Sequence, residues 1–160
     1  MRTASVVHAG SRYAMDVIER IARPEAWATQ AVVDRVPLTW EQRQKSRQKV
    51  RTVGGRDIAL ALPTGTRLHS GDLLAVAEGW IEVELAAEDL LLIRPRDLEE
   101  TAFVAYQIGN RHLPLGLAAQ TLQTPYEPVL AAYLSQQGIP VERAQLPFTP
   151  VSALGTHRHA

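Results

Sequence analysis

No cysteine occurs among the 160 residues, and that absence excludes disulfide staples, thiolate catalysis and any zinc or iron–sulfur site that needs sulfur ligands. A metal held by this chain must take its ligands from imidazole, carboxylate, backbone or water. Net charge is lacking as well. Seventeen basic residues balance seventeen acidic ones, so no global field draws the molecule onto nucleic acid or an anionic membrane, and any basic patch has to be local. Long apolar runs are missing: none approaches the roughly eighteen residues of a membrane span, and Met1 to His8 has no signal-peptide core. The expectation is a soluble, cytoplasmic protein. The signatures of common enzymes are also absent, with no His-Glu-x-x-His, no Gly-x-Ser-x-Gly and no phosphate-cradling glycine loop with its lysine. Glu99 and Glu100 precede an apolar helix face and suit the dipole of a first helical turn, so a catalytic role is not expected.

What is present is 46% hydrophobic residues, enough for a real core. The chain divides into two styles. From Gln30 to Ile93 the pattern favours strands: Ala31 to Leu38, Ile58 to Leu62 ending at Pro63, and the alternation Trp80-Ile81-Glu82-Val83-Glu84-Leu85. Gly54-Gly55 marks a hairpin turn, and Ser70-Gly71-Asp72 and Glu78-Gly79 mark two more. Asp16 to Arg23 suits a short helix or a strand equally. The boundary is placed at Leu91-Leu92-Ile93-Arg94-Pro95, giving an all-β domain over 1–94, a second domain over 95–150 and a flexible histidine-bearing tail over 151–160.

The second domain reads as α+β. Asp97 with Glu100 predicts a capping box, opening a helix that carries Phe103, Val104 and Tyr106 and stops at Gly109-Asn110. A strand then starts at His112, with Leu113, Leu115 and Leu117 on one face. Thr124 as N-cap, Pro125 at the first helical position and Glu127 predict a second helix with Val129, Leu130, Tyr133 and Leu134 on one face and Gly138 past its end. Ile139 to Phe148 supplies a last strand. Strand, helix, strand, strand, helix, strand is the ferredoxin-like order, βαββαβ. At roughly sixty residues such a domain is near the lower limit for independent stability, so pairing with a second copy would help it.

Five histidines are present: His8, His69, His112, His157 and His159. His112 follows a helix stop, on a turn where an imidazole can face outward; the alternative is a hydrogen-bonded surface or core residue. His157 and His159 form a His-x-His tail that can reach a metal or stay a frayed terminus. His8 and His69 lie beside turns and read as solvated. One ordered histidine per chain cannot hold a transition metal tightly, whereas two copies of His112 at a homodimer axis, with nitrogens from the tails, form a nitrogen and oxygen site. Such a site suits Ni²⁺, with Zn²⁺ and Cu²⁺ as competitors. It would be shallow and exchangeable, fit for delivering a metal.

The most regular charge pattern is Arg43, Lys45, Arg47, Lys49 and Arg51, spaced by two. On a strand all five point to one side. They form either a docking strip for an acidic partner or extended peptide, or an edge strand guarded by positive charge.

Arg47 to Arg51 before a glycine turn, Leu68-His69-Ser70-Gly71-Asp72-Leu73-Leu74, the stretch Tyr106 to Pro114, a capped helix with Val129-Leu130 and a histidine-bearing end together resemble the UreE family of urease accessory proteins. The resemblance runs from about Val32 to His159. It implies a cytoplasmic, homodimeric nickel metallochaperone with a β-rich, peptide-binding-like N-terminal domain and a ferredoxin-like metal-binding domain, delivering Ni²⁺ to apo-urease with the GTPase UreG and its companions. By position His112 matches the family's interface nickel ligand, while His157 and His159 match its variable C-terminal histidines only loosely. Some members carry histidines where this chain has Tyr126 and Pro128, and some end in a long histidine-rich tail that is a stub here, so few metal ions per dimer are implied. The alternative is a protein-binding co-chaperone of urease assembly whose histidines are not essential.

Overall fold

The computed structural model describes residues 15–22 and 31–151. It divides into two units, Met1–Leu85 and Ala86–Ala160. In the first, β1 (Asp16–Ile18), β2 (Ile21–Ala22), β3 (Val32–Leu38), the one-turn helix α1 (Trp40–Arg43), β4 (Arg47–Arg51), β5 (Asp57–Ala61), β6 (Leu73–Val76) and β7 (Gly79–Leu85) follow in order. They build two sheets, β1-β5-β4 and β2-β6-β7-β3. β1 runs parallel to β5 and β3 parallel to β7, and the other neighbours are antiparallel. The ambiguous stretch after Asp16 is therefore two short strands.

Alternation sets which side chains are inside. Ile81 and Val83 are buried while Glu82 and Glu84 turn outward to Arg35 on the neighbouring strand. Ile58 and Leu60 of β5, Val36 and Leu38 of β3 and Leu74 of β6 join them in one core with Ile18, Leu62 and Leu68. The β4–β5 hairpin turns at Gly54-Gly55, with Gly55 at φ 84°. Its tip is fastened to Asp34: the Gly54 amide donates to the carboxylate at 3.1 Å, and a Cβ on Gly54 would come within 2.8 Å of Asp34 Oδ2. The Thr52 hydroxyl, then the amides of Arg35 and Gly54, hold the Asp34 carboxyl below its ordinary pKa.

The second unit contains β8 (Ala87–Ile93), α2 (Leu98–Asn110), β9 (Gly116–Ala118), β10 (Thr121–Pro125), α3 (Pro128–Gln136) and β11 (Val141–Pro147). Sheet order β11-β8-β10-β9, antiparallel throughout, is the ferredoxin-like arrangement expected from the sequence. Val104 and Ile108 of α2 and Leu130 and Leu134 of α3 pack on Leu91, Ile93 and Leu122 of the sheet. β9 begins at a glycine because the Phe148 ring lies against it: a Cβ on Gly116 would sit 2.8 Å from Cε2. No described helix is long and apolar enough to cross a membrane.

Several expectations are corrected. The boundary falls between Leu85 and Ala86, not after Arg94. β8 is paired on both sides, with β10 and β11, so the strand placed at the end of the first domain is a central strand of the second. Pro95 ends that strand without ending a domain. Thr124 does not cap α3. It lies in β10 opposite Leu91, and the N-cap is Glu127, whose carboxylate accepts from the Val129 and Leu130 amides at 2.8 and 2.7 Å, with Pro128 at the first helical position. Leu130 and Leu134 of the helix are buried, while Val129, expected on the same face, is 67% exposed.

Two outcomes follow from this register. Glu127→Ala should lower stability by about 1 kcal/mol in urea denaturation. Thr124→Val should cost nothing or stabilise, because the buried Thr124 hydroxyl has no hydrogen-bond partner among the described residues; the reverse ranking would restore Thr124 as the cap. A separate titration tests the hairpin clasp. The folded pKa of Asp34 lies below its unfolded value of about 3.9, so its contribution is complete above that value and is lost as pH falls through the lower, folded one. Asp34→Asn should therefore be less stable than wild type at pH 7, with the gap closing as acid is added.

Candidate metal centre

α2 delivers His112, and both ends of the helix are built for definite stops. At the start the Asp97 carboxylate accepts from the Glu100 amide at 2.8 Å. The Glu100 side chain accepts from the Arg96 amide at 2.8 Å and pairs with the Arg96 guanidinium, one residue before the expected return contact of a capping box. These ion pairs hold the Glu100 carboxyl below its usual pKa.

At the far end, Gly109 and Asn110 are not the stop. They are the last two helical residues, and Arg111 is the C-cap. The Leu113 amide then donates to the Ile108 carbonyl at 3.2 Å and the His112 amide to the Gly109 carbonyl at 2.9 Å. This pair of bonds is a Schellman turn, and it puts His112 at the position that glycine usually occupies. His112 has φ 55° and is exposed. Leu113 turns the other way and packs on the cluster containing Ile108. The Arg111 guanidinium folds back to the Gln107 carbonyl and side chain at 3.0 and 2.9 Å and lies 5.8 Å from the centre of the Tyr133 ring, where its charge complements the helix C-terminus.

The strand expected from His112 begins only at Gly116. Leu113 and Leu115 are half-buried against the helices, and Leu117 is exposed. A tie missed by the sequence lies here: the Val151 amide donates to the Leu115 carbonyl at 2.7 Å, so the chain leaves β11 and returns to the segment that carries His112. His157 and His159, like His8, lie outside the described residues. Among the described residues no three His, Asp or Glu side chains converge as a metal site. His69 belongs to the first unit, with Nδ1 3.6 Å from the buried Asp72 carboxylate. Among the described residues of this unit His112 is thus the one histidine, and it is exposed.

The five-cation strip is broken in two. Thr39 and Gln42 form a capping box, with bonds of 3.2 and 2.9 Å, that starts α1, and the helix takes Arg43 into the interior at 4% exposure. Lys45 follows the helix and pairs with Glu41 at 2.6 Å. Arg47, Lys49 and Arg51 alone share one face of a strand.

Profiles described as the UreE urease accessory protein N-terminal and C-terminal domains match residues 16–86 and 88–160. Relatives similar to this chain include proteins named urease accessory protein UreE from Burkholderia pseudomallei (strain 1710b), Burkholderia thailandensis and Burkholderia mallei (strain SAVP1). Each is 38% identical over 151 residues, which are 91% of this chain and 74%, 71% and 74% of those proteins respectively.

The left-handed backbone at His112 has a measurable consequence. His112→Gly should raise stability by about 1 kcal/mol, since glycine adopts that conformation without Cβ strain. His112→Val should lower it, because a branched side chain resists positive φ. Chemical denaturation of the three proteins checks the order Gly, His, Val; stability that does not respond to residue type would remove the strain from the account.

Proposed function

Because the chain belongs to the UreE family of urease accessory proteins, and so has its role in urease assembly, we propose that its cargo is Ni²⁺, carried for insertion into apo-urease. His112 is the principal ligand. The observation that carries this reading is an imidazole held in strained, left-handed backbone at a helix end, exposed, with a ring that makes no hydrogen bond among the described residues. Non-glycine residues are kept in such conformations where a function over-determines them.

One imidazole does not complete a nickel site, which needs several nitrogen or oxygen donors. Two sources are proposed. The first is a second chain: a homodimer whose axis passes near His112 doubles the imidazoles. Two exposed apolar side chains of this unit support this. Tyr106, one and a half turns before His112 on α2, is 64% exposed, and Val129, one turn before the Tyr133 that Arg111 covers, is 67% exposed. The second source is the tail. From Val151, tied to Leu115, six further residues bring the chain to His157 with a reach of at most about 20 Å, and His112 lies no more than about 10 Å of chain from Leu115. His157 and His159 are thus assigned as auxiliary ligands. Zn²⁺ and Cu²⁺ compete for the same donors.

The protein is not expected to catalyse a reaction itself. It is placed in the cytoplasm with the GTPase UreG and the urease apoprotein as partners, and without nucleic acid or membrane.

The test is a calorimetric Ni²⁺ titration of the wild type, of His112→Ala and of a chain lacking His157 to Ala160, with light scattering to fix the oligomer. One nickel per two chains with micromolar affinity, about −8 kcal/mol, is expected for the wild type. Binding should be lost in His112→Ala and weakened in the truncated chain. Full binding in His112→Ala would move the site to the tail. No binding in any of the three would favour a co-chaperone that works through protein contacts alone.

A further inference from the structure

Arg111 stands one residue before the proposed ligand, and its charge is treated unlike any other in this unit. Arg94, Arg96 and Arg143, the unit's remaining described arginines, are each matched to a carboxylate: Glu142 at 2.8 Å, Glu100, and Asp89 at 2.7 Å respectively. Arg111 has no carboxylate within ion-pair distance among the described residues. It is nevertheless held. Nη1 donates to the Gln107 carbonyl at 3.0 Å and to the Gln107 side-chain oxygen at 2.9 Å, and the guanidinium carbon lies 5.8 Å from the centre of the Tyr133 ring. That ring is in turn 6.2 Å from the ring of Phe103. Residues of α2 and α3 thus fix a full positive charge at the helix end that also fixes His112. The partial charge of the helix C-terminus offsets only about half of it. The side chains of Arg111 and His112 leave neighbouring Cα atoms, about 3.8 Å apart, so the guanidinium and an ion on the imidazole are separated by on the order of one Debye length at physiological salt. At that range a unit charge and a divalent ion still repel.

On the reading that His112 carries Ni²⁺, we propose that Arg111 sets how readily the ion leaves. The clamped guanidinium repels a divalent cation on the neighbouring imidazole, so it weakens the site without contributing a ligand. Pairing with a carboxylate would cancel that field. Clamping by neutral partners, an amide and a phenol ring, keeps the charge both fixed and whole. In a two-fold assembly each His112 brings its own Arg111, and the effect doubles. The repulsion acts on charge and not on ligand preference. It therefore lowers the affinity of Ni²⁺ and of Zn²⁺ by the same factor and leaves their order to the donor atoms.

The test is a calorimetric titration of the full chain with Ni²⁺, and separately with Zn²⁺, for the wild type, Arg111→Met and Arg111→Lys. Each is measured at low salt and at about 0.5 M NaCl, where the Debye length shortens to roughly 4 Å. Arg111→Met keeps an unbranched apolar stem against Tyr133 and removes the charge. It should bind both ions about fivefold more tightly than the wild type at low salt, with the gap narrowing below about twofold at high salt, and Arg111→Lys should fall between the two. Circular dichroism and the melting midpoint check that α2 is intact in both variants. A loosened helix end acts in the opposite direction, weakening both variants alike. That result, equal affinity of Arg111→Met and wild type, or tighter binding that does not respond to salt would overturn the role of the charge while leaving His112 as the ligand. Binding that persists in His112→Ala, or that is absent from the wild type, would instead remove the nickel reading on which this inference rests, and the inference with it.

Discussion

Leu113 governs what His112 faces. By packing on the cluster around Ile108 and donating its amide to the Ile108 carbonyl, it closes the end of α2 into a turn that admits only left-handed backbone at the residue before it. The side chain at 112 is then directed away from the core whatever its chemistry. A histidine at that place costs about 1 kcal/mol relative to glycine, a cost offset by the burial of Leu113 and Leu115 on one side and the capped helix on the other. The imidazole is thus positioned by a rigid helix end, although it stands on a turn.

Much of this was legible in the sequence, and the misreadings have specific causes. Apolar, strand-favouring runs identified β3 and β5, period-two alternation identified β7, and the order of elements after Leu90 implied the ferredoxin-like arrangement. Thr124-Pro125-Tyr126-Glu127 carries a strong cap signal, but Thr124 and Pro125 pair with Leu91 and Leu90 on the most buried strand of the unit, and that ladder outweighs a cap worth about 1 kcal/mol. Gly109-Asn110 suggested a stop two residues early, since glycine is the usual left-handed residue. The better signal was the apolar Leu113 followed by Pro114, the pair that commonly follows a helix C-cap. In the basic strip, a period of two concealed Thr39-x-x-Gln42, a capping box that converts the first two cations from strand positions to a helix and its exit. Nothing local revealed the tie from Val151 to Leu115, because it joins residues far apart in sequence.

The two units manage exposed backbone in different ways. β9 leaves only three residues at its edge of the second sheet, and β11 carries Pro147 at the end of the other. β4 in the first unit is five residues long, with Arg47, Lys49 and Arg51 exposed along it, and just past its end the Val53 amide donates to the Arg35 carbonyl of β3.

The outward histidine at the end of α2 carries a thermodynamic consequence for the proposed cargo. A chain that converged three or more ligands on one ion would hold it through an intramolecular site, and release would require breaking that site against its full affinity. A chain that offers one fixed imidazole must borrow the remaining donors, from a second copy or from a tail. Affinity is then linked to chain concentration. Each borrowed donor is also a point at which an acceptor protein can substitute its own ligand without first unfolding α2. Weak, divided coordination built on one rigid anchor therefore suits transfer better than storage, and the strain at residue 112 fixes the anchor while the other donors exchange.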